Sequence, residues 1–147
     1  MVASLLIIVF SVLLFLYWFR YTCVLILRAK TTENYADEVA TSNRLSFLEI
    51  QNRLEGAEST DALNRLHQSL DRDYQLLAYL LRHAAEFQVG GYAVERSMLK
   101  VDFCIMKAWY AVMRPISPSQ ARAALREMSE VVAHFANAVG EHAASRA

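Results

Sequence analysis

From Val2 to Phe19 the chain carries no charged side chain. At about 1.5 Å per helical residue, such a run covers most of a hydrocarbon layer about 30 Å thick. Its Leu, Ile, Phe and Val residues sum to an insertion preference of about −4 to −7 kcal/mol, which outweighs Ser4 and Ser11. The segment therefore reads as a transmembrane helix. A cleaved leader needs a basic start, a shorter apolar core and a small-x-small site, and Met1-Val2-Ala3-Ser4 opens none of these.

The charges beside this run give it a direction. Nothing before it is charged except the amino terminus, whereas Arg20, Arg28 and Lys30 follow it closely. Cytoplasmic flanks are enriched in Lys and Arg, so the expected arrangement is a single pass of the cell membrane with the N-terminus outside and the remainder in the cytosol. Tyr17, Trp18 and Tyr21 suit headgroup depth, and Arg20 can extend along its stem to lipid phosphates. Tyr17, Trp18, Arg20, Tyr21, Arg28 and Lys30 are thus the expected membrane-interface residues, with membrane lipid as their partner. Three cations are too few for a polybasic lipid-binding segment, which usually holds about four to eight.

The hydrophobic fraction of 55% owes much to this run. Three of the 15 basic residues lie at or before Lys30, so residues 31–147 hold 12 against all 15 acidic ones, a balance of −3. That part has no basic excess to attract nucleic acid. Cys23 and Cys104 form neither a CxxC nor a metal-binding spacing and read as reduced thiols.

Past Lys30 the punctuation is helical. Thr31 and Thr32 suit the cap of a short helix through Tyr35 and Val39, unless the first helix simply continues. Ser46-Phe47-Leu48-Glu49 fits a capping box, with Gly56 at the following C′ position. From Ser59, Thr60 and Asp61 to about Phe87, residues Leu63, Leu66, Leu70, Tyr74, Leu77, Leu81 and Ala84 recur on one stripe. Gly90-Gly91 suits a tight turn. Pro115 ends the next helix, because it lacks a donor and restricts Arg114. Ser117-Pro118-Ser119-Gln120 then opens a last helix whose Ala121, Leu125, Met128, Val132, Phe135 and Val139 share a face as far as Gly140.

The helix between, Tyr92 to Met113, has two greasy sides. Projected at about 100° per residue, Val94, Met98, Val101, Ile105, Ala108 and Val112 form one, and Leu99, Phe103, Met106 and Tyr110 the other. Arg96, Lys100, Lys107 and Arg114 form a basic stripe, and Glu95 and Asp102 fall on a separate line. In the plainer reading both sides pack inside a bundle and the stripe pairs with carboxylates such as Glu49, Glu55, Asp71 or Asp73. In the sharper one Leu99, Phe103, Met106, Trp109 and Tyr110, rimmed by Arg96, Lys100 and Lys107, dock another protein.

No constellation of catalytic groups stands out. His67 falls on the leucine stripe, His83 lies opposite it, His134 points away from the Leu125 face and His142 is near the end. Glu-x-x-His pairs of the di-iron kind and a CxxCH are both lacking. Asp71 and Asp73, two apart, diverge by about 200° on a helix. Gly90-Gly91 lacks the surroundings of a phosphate loop.

The expected fold is all-α: a transmembrane anchor with its flank over residues 1–30, a cytosolic antiparallel bundle of three long or four helices over 31–140, and a frayed tail over 141–147. The expected function is a membrane-anchored adaptor or accessory subunit of a membrane complex, without cofactor or metal, that docks a protein through the 92–113 helix. The rival expectation is a small membrane-bound enzyme or redox carrier with a cofactor between helices, around His67 and Cys104.

Overall fold

In the computed structural model, residues 1–29, 34–57, 59–84 and 92–146 are described, and among them every regular element is helical. The elements are α1 (Val2–Arg28), α2 (Ala36–Asn43), α3 (Phe47–Arg53) followed by a 3₁₀ turn (Leu54–Gly56), α4 (Thr60–Ala84), α5 (Tyr92–Met113) and α6 (Pro118–Arg146). The chain divides into two compact units, Met1–Lys30 and Thr31–Ala147.

The first unit is α1 alone, 27 residues long. It is long and apolar enough to cross a membrane. It continues past the aromatic belt to Arg28, and Ala29 leaves the helical region at φ −59°, ψ 122°. Thr31 and Thr32 lie outside the described residues.

Among its described residues the second unit holds three long helices and two short ones, more pieces than expected. Helix α6 is its spine, since α2, α3, α4 and α5 all pack on it. Ala121, Leu125, Met128, Val132 and Phe135 are fully buried there, and so are Ala124, Val131 and Ala136 on the same helix. The small residues let neighbouring helices come close, and the larger ones fill the space between them. Pro115 ends α5 as expected: Ser117 N–H donates to the Met113 carbonyl at 2.7 Å, and α6 restarts at Pro118.

Two local readings are corrected. Ser46 and Glu49 form no capping box, because Ser46 makes no side-chain cap and Glu49 pairs with Arg53 one turn on. The first donors of α3 are met from another helix instead: the Ser46 N–H donates to Asp73 Oδ2 of α4 at 2.6 Å, and Phe47 N–H reaches the same carboxylate. Gly140 does not stop α6, which stays helical to Arg146. It is buried against α2, where an added Cβ would collide with Tyr35 Cβ and lie 3.1 Å from Val39 Cγ2. That glycine is present for close approach. The Gly90-Gly91 turn and Phe87 lie outside the described residues.

The two short helices are held by polar side chains of the long ones. Asn137 of α6 is buried, and its Oδ1 accepts the Tyr35 N–H at the head of α2 at 2.6 Å. The other end of α2 closes on Arg44, whose φ of 53° is left-handed, with Leu45 N–H donating to the Ala40 carbonyl at 2.9 Å. A side chain with a Cβ costs energy in that conformation, and this turn bears the cost so that α3 can follow at once.

Candidate functional site

Side chains of α4 and α5 meet in a ladder that progresses in opposite directions along the two helices. Asn64 Oδ1 accepts the Tyr110 hydroxyl at 2.8 Å and an Arg114 N–H at 3.2 Å. His67 stacks on Tyr110, with ring centroids 4.7 Å apart. Asp71 Oδ1 accepts from Lys107 Nζ at 2.7 Å. Tyr74 stacks on Phe103 at 3.8 Å and on Phe135 of α6 at 5.8 Å. Burial, with Cys104 and Asp71 nearby, pushes the Tyr74 hydroxyl up to about 12, so it stays neutral.

This ladder corrects the expected docking patch. Leu99, Phe103, Met106 and Tyr110 are buried in the core, the last three with at most 7% exposure. They face inward because their rings and long chains match Tyr74, His67 and Asn64 across the gap, a match that helical periodicity alone does not reveal. Lys107 is half-buried and paired with Asp71, as the plainer reading had it. Lys100 is exposed, and Arg96 is partly covered and engaged. Trp109, grouped with the patch from sequence, is 44% exposed and stands outside it.

The opposite side of α5 is the one left open. Val94, Val101 and Val112 are 69%, 51% and 54% exposed. Cys104 and Ala108 are exposed between them, and Ile105 is partly covered. From Ala93 and Ala111 on one edge to Trp109 on the other, an arc about 160° wide carries no charged side chain. Its one hydroxyl, Ser97, is already bonded to the Ala93 carbonyl at 2.9 Å. Ile116, just past the helix, extends the apolar surface. An amphipathic helix of a water-exposed domain normally presents polar residues here, and a continuous apolar face marks an interaction site. Sequence reading identified both faces, and the one it offered for docking is the buried one.

The cofactor expectation finds no centre. Among the described residues no group of three or more His, Cys, Asp or Glu side chains is placed to hold a metal ion. His67 stands by Tyr110 and Cys104 near Tyr74, about two helical turns or 10 Å apart along α4. Burial lowers the His67 pKa, and the neighbouring Lys107 and Arg114 lower it further against the pull of Asp71. His134 belongs to the α5–α6 contact, with Nε2 3.7 Å from Glu95 Oε1, and burial lowers its pKa against the pull of Glu95 and Glu141. His83 bonds to the Tyr79 carbonyl one turn back. The buried Asp73 carboxyl is raised by its burial and held from rising further by the α3 donors and Arg72.

On α1, Tyr17, Trp18 and Tyr21 are exposed, Tyr17 stacks with Tyr21 at 6.5 Å, and Phe15 lies against both Trp18 and Phe19. Arg20 is engaged within the chain, Arg28 is exposed in the last turn, and Lys30 lies outside the described residues. Set against models of known protein families, curated proteins and solved structures, the chain finds no match in any of the three.

Proposed function

We propose that this chain is a single-pass membrane protein, with α1 as its span and N-terminus outside, whose cytosolic antiparallel bundle is a non-enzymatic adaptor or accessory subunit of a membrane complex. It docks a protein partner through α5, by the outer face rather than the inner one. The observation that carries this reading is the charge-free exposed arc of α5 around Val94, Val101 and Val112. Water contact with such an arc is unfavourable by about 25 cal/mol for each Å² of apolar surface, and a partner removes that contact. The span and its aromatic and basic flank supply the reason for membrane residence.

The test is affinity purification of the full-length protein from its membrane in mild detergent, beside V101E and F103A. V101E introduces a carboxylate where none is tolerated on burial, so the expected result is loss of the partner with helicity unchanged. A partner recovered equally with V101E would overturn the proposal. F103A acts on the core instead and should destabilise the bundle by about 3–5 kcal/mol.

A further inference from the structure

The charges on either side of the open α5 face differ in sign. On the flank toward α4 lie Arg96, Lys100 and Lys107, of which Lys107 reaches Asp71. On the flank toward α6 lie Glu95, at 3.7 Å from His134, and Glu127 and Glu141, which share a line with His134 at seven-residue steps. Glu141 is close enough to raise the His134 pKa. The apolar strip thus has a basic edge and an acidic edge.

We propose that the outer face of α5 is the contact between two copies of this chain, packed as a parallel helix pair about a two-fold axis that runs along α5. The inference rests on the docking reading of this face and names its partner. Rotation about an axis along the helix carries the basic edge of one copy onto the acidic edge of the other at both margins. Rotation about an axis across the helix brings like charges together, which costs energy. An anionic lipid surface would meet the acidic edge unfavourably, so the edges favour protein over lipid.

The side chains on the strip suit the same geometry. Val94, Val101 and Ala108 recur every seven residues, and Ser97, Cys104 and Ala111 recur beside them, the 3.5-residue period that keeps a seam facing its partner. Most are small, so two backbones can approach closely. In a parallel two-fold pair each seam residue stands beside its own copy. Confinement of both copies to one membrane raises their effective concentration, so a contact one helix wide suffices.

The test is thiol cross-linking of the full-length protein in its membrane with a short bis-maleimide. C23A leaves Cys104, which is exposed, as the single probe; in C23A/C104A, the substitutions V94C, V112C and Y79C move the probe to either end of the face and to the exposed side of α4. The expected result is like-with-like dimers at Cys104, V94C and V112C, none at Y79C, and a cross-linked fraction at Cys104 at least about tenfold lower when V101E is added. A link only between V94C and V112C copies would mean an antiparallel pair and overturn the proposal, as would no dimer at any position or equal linking at Y79C. If no dimer forms and V101E still loses a different protein, the second-copy inference fails while the docking reading stands.

Discussion

Gly140 shows how one residue type can carry two meanings. In a linear reading it ends a helix, because glycine is favoured at C′ positions and is costly inside. In the fold it sits inside α6 under Tyr35 and Val39, where a single added carbon has no room. The substitution G140A should therefore destabilise the bundle by about 1–3 kcal/mol through overpacking, despite a helix-propensity gain of about 1 kcal/mol. A denaturant midpoint for G140A at or above that of the parent chain would show that α2 yields easily. Nothing local to residues 137–143 separates the two meanings, because the clash comes from residues about a hundred positions earlier.

At the scale of elements, short helices borrow their caps from long ones. Helix α3 is only seven residues, too short to persist unaided, and its N–H groups find Asp73 rather than their own serine. D73A should leave those donors unmet and cost about 1–2 kcal/mol, while D73N, which keeps an acceptor and removes a buried charge, should cost clearly less. Hydrogen exchange at Ser46 and Phe47 checks this directly: protection lost in D73A and largely kept in D73N is expected, and equal protection in both would mean that the carboxylate does not hold α3. The ends that sequence did reveal, Pro115, Ser117-Pro118 and the Ser59 cap that accepts from Ala62 N–H at 3.2 Å, are those whose chemistry is contained within one turn.

For the whole molecule, two histidines give stability a direction with pH. Burial lowers both His67 and His134 from 6.5, so the unfolded chain binds protons that the folded chain refuses. Their contribution is present above the unfolded value and is lost as pH falls through it toward the lowered folded values. The urea midpoint should therefore drop between roughly pH 7.5 and 6, and the slope should flatten in H134Q; a midpoint that rises over this interval would contradict the burial of these rings. Asp73, raised from 3.8, works the other way at lower pH, where the folded state takes up its proton first. Sequence by itself determined the features that repeat within one helix or lie beside it: the apolar run of α1 with its charged edge, the helical stripes of α4 and α6, and the break at Pro115. Tertiary structure alone decided which apolar face of α5 turned inward, which carboxylate capped α3, and why α6 carries Gly140. The physical reason is that periodicity says how many faces a helix can bury. The choice between two equally apolar faces depends on shape: Phe103 and Tyr110 meet Tyr74 and His67 across the α4–α5 gap, and Val94, Val101 and Val112 stay exposed.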